Sequence, residues 1–174
     1  MVAAVVPPVR VEILPMRRAH VRAVLEIERA VYARPWSAAL FFSELAQPKS
    51  RHYVIAVLDG TVIGYGGVMV HADEAHITNV AVEPDLHHRG VGRALMVNLM
   101  RMSRERGANT VALEVRVSNW PAQRLYAWFG FRPIGVRKNY YAESGEDALV
   151  MMVRDVQGGD VAARVARAEA SLQS

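Results

Sequence analysis

The chain has 174 residues, of which 52% are hydrophobic and 22% are charged, a composition typical of one globular domain rather than of a disordered chain. The absence of cysteine excludes disulfides, thiolate metal sites and a cysteine nucleophile. The apolar start at residues 1–6 has no basic leader and ends at Pro7-Pro8, so we expect neither export nor a membrane span and assign the protein to the cytoplasm. The net charge of +4 is compatible with an anionic ligand but does not identify a partner.

Hydrophobic periodicity divides the chain into strands and helices. In chain order the predicted elements are strand 9–14, helix 17–32, a short helix between Ser37 and Pro48, strands 52–58, 61–70 and 75–82, helix 90–106, strand 110–115, helix 119–129, and strands 131–137 and 148–153. Ser37 is a suitable N-cap, because its side chain can accept a hydrogen bond from the first turn. Asp59-Gly60 predicts a two-residue hairpin, since both residues tolerate positive φ.

These elements predict one domain over residues 9–155, preceded by a flexible N-terminus over residues 1–8. An antiparallel meander followed by helix, strand, helix and hairpin indicates an α/β sandwich with a mixed sheet. The C-terminal extension, residues 156–174, has apolar residues at helical spacing between 160 and 172. It is interpreted either as a helix docked on the domain or at an interface, or as a frayed tail.

The most informative segment is residues 79–95, where a β-branched strand ends at a turn containing Pro84. A basic loop with Gly90 and Gly92 then leads directly into a helix. Helix N-termini carry unpaired N–H groups and partial positive charge, so this corner favours a phosphorylated cofactor, although such glycine pairs also occur in ordinary turns. Two other phosphate-binding motifs are not matched. Leu95 stands where the dinucleotide fingerprint needs its third glycine, and the Gly-Lys-Ser/Thr ending of the nucleotide-triphosphatase loop is absent.

Together with the downstream motifs Leu-Glu-Val-Arg at 113–116, Asn119 and Leu-Tyr-Ala-Trp-Phe-Gly-Phe at 125–131, this segment resembles the GNAT family of acetyltransferases. The resemblance covers residues 9–153. It implies the acyl-CoA N-acyltransferase fold, in which helices flank a mixed, mainly antiparallel central sheet. It also implies acetyl-CoA as the acetyl donor, with no metal.

In this family the pantetheine arm of CoA lies between two strands that separate. By resemblance, the backbone groups that bind pantetheine are those of Val80, Ala81 and Val82. The residues implied to hold the pyrophosphate are His88, Arg89, Gly90, Val91, Gly92 and Arg93. The family signature starts with Gln or Arg where this chain has His87, a departure that weakens one contact but keeps the backbone amides. Asn119 is a helix cap, and by resemblance it is also a hydrogen-bond partner of CoA.

Acetyl transfer to an amine requires a proton acceptor for the amine and a proton for the departing thiolate. The resemblance assigns the first role to Glu114, acting through water, and the second to Tyr126. Without the resemblance, Glu114 would be interpreted as an exposed strand carboxylate paired with Arg116. Tyr126 would be interpreted as a core residue of its helix.

Three aromatic residues indicate where the amine that accepts the acetyl group binds, namely Trp36, Tyr140 and Tyr141. The two tyrosines are predicted to lie in a loop. All three resemble residues that form the acceptor groove of N-terminal acetyltransferases, and packing aromatics are the alternative. Deprotonating an α-amine of pKa about 8 costs about 1 kcal/mol at pH 7, against about 4.6 kcal/mol for a lysine. The resemblance therefore implies a protein N-terminal amine as the acceptor, on a small-subunit ribosomal protein. Lysine side chains, a polyamine or antibiotic, and a non-catalytic acyl-CoA-binding module are the alternatives.

The six histidines raise the question of a metal site. His87 and His88 are adjacent, and His71 and His76 are five apart without carboxylates at ligand spacing, so we predict structural or surface histidines and no metal. We also expect no direct contact with nucleic acid or membrane, and a monomer or weak dimer.

Overall fold

A computed structural model describes residues 8–173, and the predicted flexibility of residues 1–7 lies outside them. The strands of this part of the chain are β1 Glu12–Pro15, β2 Arg51–Leu58, β3 Thr61–His71, β4 Glu74–Val82, β5 Thr110–Arg116, β6 Arg132–Tyr141 and β7 Glu146–Val153. Its α-helices are α1 Val21–Val31, α2 Ala38–Leu45, α3 Val91–Glu105, α4 Trp120–Trp128 and α5 Gly159–Ala170. Both lists follow the predicted order of elements.

The strands form one sheet in the order β1-β2-β3-β4-β5-β7-β6. Only β4 and β5 pair in parallel, and every other neighbouring pair in the sheet is antiparallel, so the prediction of a mixed, mainly antiparallel sheet is confirmed. Helices cover both faces. Along β2, Val54 and Ala56 face a core formed with α3 and α5, whereas Tyr53 and Ile55 face a second core formed with α1 and α2.

The parallel strands separate after a short paired stretch. Only residues 74–76 of β4 pair with residues 110–112 of β5, although β4 continues to Val82 and β5 to Arg116. Thr78 is an extra residue opposite β3, because Gly67 pairs with Asn79 and Val68 with Ile77. Such a bulge bends its strand, and it lies just where the parallel pairing stops. The divergence opens a cleft in the middle of the sheet.

Local signals in the sequence are confirmed at two turns. The Ser37 side chain accepts a hydrogen bond from the Leu40 N–H at 3.2 Å, as an N-cap does. Asp59 and Gly60 have φ of 49° and 79°, the left-handed conformation that a two-residue hairpin of this type needs. The predicted strand 9–14 is shorter than expected, because pairing with β2 begins only at Glu12.

The predicted loop around Tyr140 and Tyr141 is wrong, since both residues belong to β6. The register of β6 against β7 shifts between Arg137 and Tyr141, and Asn139 has a φ of 51°. This irregularity interrupts the alternation of apolar residues by which a strand is identified from sequence. Pairing resumes where Tyr141 lies opposite Glu146.

The C-terminal extension is a docked helix, and the alternative of a frayed tail is wrong. Val161, Val165 and Ala168 of α5 are buried in the core that also contains α3. Ion pairing of Arg101 with Glu169 adds a polar contact between the two helices. Among the described residues no helix is long and apolar enough to cross a bilayer.

Glu28 is a fully buried carboxyl group of α1 that joins the two sides of the second core. It accepts hydrogen bonds from the Tyr65 hydroxyl and from the Trp36 backbone N–H, the latter at 2.7 Å. Burial raises the pKa of Glu28 above its ordinary value. This side chain therefore holds the turn that carries Trp36.

Replacing Glu28 with Ala should lower the free energy of unfolding by about 2–4 kcal/mol, because the buried Tyr65 hydroxyl and the partly buried Trp36 N–H lose their acceptor. Denaturant unfolding of both proteins measures the difference. The matched control is Glu26→Ala on the same helix, where an exposed pair with Arg29 is lost and a change within about 0.5 kcal/mol is expected. Equal losses for the two variants would contradict the assigned role of Glu28.

Candidate active site

Two cavities meet at the point where β4 and β5 separate. The larger has a volume of about 930 Å³ and extends past the N-terminus of α3, and the smaller has a volume of about 560 Å³ and lies along β5 and β6. They share five lining residues, which are Val31, Tyr32, Val80, Asn119 and Tyr126. A molecule in one cavity can therefore reach a molecule in the other across this junction.

The larger cavity brings together most of the residues predicted to bind the cofactor. Those that line it are Val80, Ala81, Val82, His88, Gly90, Gly92, Arg93 and Asn119. Arg89 and Val91 are not among its lining residues, and the Val91 side chain is buried in the core. Any contribution from Val91 to a ligand is thus restricted to its backbone.

The N-terminus of α3 has the form of an anion site. Gly90 is its N-cap, with a φ of 84° and no side-chain hydrogen bond to the first turn, so the leading N–H groups keep their capacity to bind an anion. A Cβ at Gly90 would also lie 3.2 Å from Leu172, and one at Gly92 would lie 3.3 Å from Leu125. His87, at the position where the family signature departs, makes a 2.9 Å hydrogen bond between its Nε2 and the Val82 carbonyl oxygen. It joins the loop to the end of β4.

Two polar side chains of the α4 region lie at the junction of the cavities. Tyr126 is 8% exposed and packs against Phe131 with ring centroids 6.1 Å apart. Burial raises the pKa of its phenol, which is therefore protonated at neutral pH. The Asn119 Oδ1 accepts a hydrogen bond from the Ala122 N–H at 3.2 Å, so it caps α4 as predicted.

Glu114 lies in the smaller cavity with its side chain only 9% exposed. Its Oε2 is 2.5 Å from His76 Nε2, and its Oε1 is 3.3 Å from Arg137 Nη2. The hydrogen bond from His76, and the charges of His76 and Arg137, hold the pKa of this carboxyl below its ordinary value against the opposing effect of burial. Glu114 is thus an ionised carboxylate in a partly enclosed site.

The interpretation of Glu114 as a partner of Arg116 is wrong. Arg116 instead pairs with Glu143 and, at 3.1 Å, with Glu146. Consecutive residues of a strand point to opposite faces, so residues 114 and 116 share a face. The carboxylates of Glu143, in the loop before β7, and of Glu146, the first residue of β7, nevertheless lie closer to the guanidinium. Parallel pairing of β4 with β5 also places His76 beside Glu114, a contact that spacing along the sequence does not reveal.

The three aromatic residues predicted on the acceptor side all line the smaller cavity. Trp36 also packs against Phe41 with centroids 5.3 Å apart, so packing and lining are combined in one side chain. The rings of Tyr140 and Tyr141 meet edge to face at 5.2 Å, and burial raises the pKa of Tyr141 to about 12. The aromatic walls and the Glu114 carboxylate therefore surround one space.

Sequence reasoning missed several residues of the smaller cavity, namely Glu28, Tyr32, His76, Arg116 and Glu143. The Tyr32 hydroxyl donates to the Val80 carbonyl oxygen at 3.3 Å, next to the cofactor cavity. Spacing on parallel strands could have suggested His76, whereas the others come from elements distant in sequence. Within residues 8–173 no group of three or more histidine and acidic side chains could hold a metal ion.

Known proteins with related sequences identify the family of this chain. The sequence model of the Acetyltransferase (GNAT) family matches residues 21–131. The ribosomal protein bS18-alanine N-acetyltransferase of Salmonella typhimurium is 37% identical over 131 residues, which cover 74% of this chain and 87% of that protein. The N-alpha-acetyltransferase RimI of Mycobacterium tuberculosis is 37% identical over 148 residues, which cover 83% of this chain and 91% of that protein.

A solved structure supports the same relationship. The crystal structure of the ribosomal-protein-S18-alanine N-acetyltransferase from Escherichia coli superposes with a TM-score of 0.77 at 33% identity, covering 87% of this chain and 97% of that one. The fold, with its cleft between β4 and β5, and the sequence match both indicate the same family. The chain belongs to the GNAT acetyltransferase family and is an acetyl-CoA-dependent N-acetyltransferase that resembles RimI.

Proposed function

We propose that the protein transfers an acetyl group from acetyl-CoA to the N-terminal α-amine of a protein, on a small-subunit ribosomal protein such as bS18. The observation that carries this proposal is the junction of the two cavities, with Tyr126 at the junction and Glu114 on the acceptor side. The names of the relatives above support the choice of acceptor. We further expect the enzyme to act in the cytoplasm as a monomer or weak dimer, without direct contact to nucleic acid or membrane.

The donor occupies the larger cavity in this proposal. Backbone groups of residues 80–82 bind the pantetheine arm, and the N–H groups of residues 88–93 bind the pyrophosphate with the help of the α3 N-terminus. Asn119 adds a hydrogen bond at the junction. The thioester then lies near Tyr126, between the two cavities.

The acceptor occupies the smaller cavity between Trp36 and the Tyr140–Tyr141 pair. Glu114 takes one proton from the amine through a water molecule, and the neutral nitrogen attacks the thioester carbonyl. The C–N bond forms and the C–S bond breaks. The departing thiolate receives its proton from the Tyr126 phenol, and the nitrogen, which carries an excess proton after the attack, gives it through water to the resulting phenolate. The proton held by Glu114 then leaves to solvent, so both groups return to their starting states.

The surroundings of Glu114 favour an α-amine. A carboxylate whose pKa is held below its ordinary value is a weak base, so it is suited to an amine that deprotonates easily. A lysine would require about 3–4 kcal/mol more than an α-amine at the same pH.

A panel of acceptors tests the proposal. We expect acetylation of a peptide with a free N-terminal alanine, and little reaction with the same peptide blocked at its α-amine but containing lysine, or with spermidine. Mass spectrometry of the products locates each new acetyl group. Modification confined to lysine side chains or to spermidine would overturn the proposed acceptor.

The same assay predicts the pH dependence. Glu114 stays ionised above its lowered pKa, so kcat/KM should rise with pH only as the α-amine deprotonates, reaching half its maximum at about pH 8 and levelling off about one pH unit higher. A rise that continues toward about pH 10 would instead indicate a lysine acceptor.

A further inference from the structure

The larger cavity carries a concentration of positive charge beyond the N-terminus of α3. Arg93, Arg124 and Arg164 line it, and they come from α3, α4 and α5 respectively. Within the described part of the chain, no aspartate or glutamate is among its lining residues. The cavity is therefore suited to a ligand with more than one anionic group.

Arg164 is held in place by contacts on two sides. Its Nε donates to the Asp160 carboxylate at 2.8 Å and its Nη1 donates to the Trp128 carbonyl oxygen at 3.3 Å, while the side chain remains 27% exposed. The Nη2 group makes no hydrogen bond to any other residue that the structure describes. The guanidinium is thus oriented and keeps a pair of donors for a ligand.

Arg93 also lines the larger cavity, and it contacts the C-terminal extension. Its Nη1 donates to the Ser171 hydroxyl at 2.9 Å, and its guanidinium lies over the Trp128 ring at 4.2 Å from the centroid. Its Nε is buried without a hydrogen-bond partner among residues 8–173. The C-terminal extension therefore positions two of the three arginines.

The position of Arg164 separates it from the anion site at α3. Gly92 approaches Leu125, whereas Arg164 approaches Trp128, three residues further along α4, and Gly130, just beyond the end of that helix. Three helical residues span about 4.5 Å. A ligand whose pyrophosphate lies at Gly90 and Gly92 would therefore meet Arg164 with a second, separate anionic group.

We propose that Arg164, together with Arg124, binds the 3′-phosphate of CoA, which makes the C-terminal helix part of the donor site. The inference rests on the proposed donor. CoA carries a pyrophosphate and a ribose 3′-phosphate, and the α3 N-terminus accounts for only the first. Guanidinium groups bind phosphate through paired, charge-assisted hydrogen bonds. Since α5 lies outside residues 21–131, this contact is not part of the matched family region.

Calorimetric titration of the full chain with CoA and with 3′-dephospho-CoA tests the proposal. The unmodified protein should bind CoA about tenfold or more tightly than 3′-dephospho-CoA. Arg164→Gln should weaken CoA binding by a similar factor and leave 3′-dephospho-CoA binding unchanged, so that the preference disappears. Arg164→Lys, which keeps the charge, should retain part of the preference.

The matched control is Arg167→Gln, an exposed arginine of the same helix that does not line the cavity. It should behave like the unmodified protein. The proposal is overturned if the unmodified protein binds both ligands equally, or if Arg164→Gln weakens both by the same factor. If neither ligand binds, the proposed donor itself is wrong and this inference falls with it.

Discussion

Replacing Glu114 with Gln should lower kcat for an N-terminal peptide by about 100-fold or more, while the Kd for acetyl-CoA stays unchanged. Gln has nearly the same shape but cannot accept a proton from the amine. Glu114 lines the acceptor cavity and not the donor cavity, so donor binding should not depend on it. Steady-state kinetics combined with calorimetric titration separates the two effects.

Two further variants make the role of Glu114 specific. Glu26→Gln removes an exposed carboxylate that pairs with Arg29, and it should leave kcat unchanged. His76→Ala removes the hydrogen bond that lowers the pKa of Glu114 most. The carboxyl pKa should then rise, whereas the increase of kcat/KM with pH should still follow deprotonation of the α-amine. Full activity of Glu114→Gln would exclude the carboxylate as the base.

Replacing Tyr126 with Phe should lower kcat by about 100-fold without weakening acetyl-CoA binding by more than a small factor. The phenol is proposed to protonate the thiolate, a step that a phenyl ring cannot perform. The Tyr126 hydroxyl makes no hydrogen bond to another described residue, so its loss should not disturb the fold. Steady-state kinetics and a titration with CoA provide the measurement.

The matched control for that substitution is Tyr53→Phe. Tyr53 lines neither cavity, and its hydroxyl donates to Glu44 at 2.8 Å and lies 3.2 Å from the Thr78 hydroxyl. Its loss should reduce stability slightly and leave kcat unchanged. An unchanged kcat for Tyr126→Phe, with the control also unchanged, would leave the thiolate to be protonated by another donor.

Local patterns in the sequence were sufficient for much of the fold. Alternating and helical periodicities, the Ser37 cap and the Asp59-Gly60 hairpin depend on neighbours within a few residues, so their physical causes are present in any short window of the sequence. The corner at Gly90 is of the same kind, because helix start, positive φ and unpaired N–H groups are all local. These features predicted the elements, and they also led to the proposed phosphate-binding end of the site.

The remainder depended on contacts between residues distant in sequence. The hydrogen bond between His76 and Glu114 requires β4 and β5 to pair in parallel and then diverge, and the placement of Arg164 requires α5 to pack against the core containing α3. Tyr140 and Tyr141 became part of a strand only because β7 lies beside them. The sequence by itself determined the secondary-structure elements, the proposed anion site at the N-terminus of α3 and the residue types needed for acetyl transfer. Only the tertiary structure decided which charged groups face each other, because a partner's distance and burial set a pKa and neither is a property of one segment.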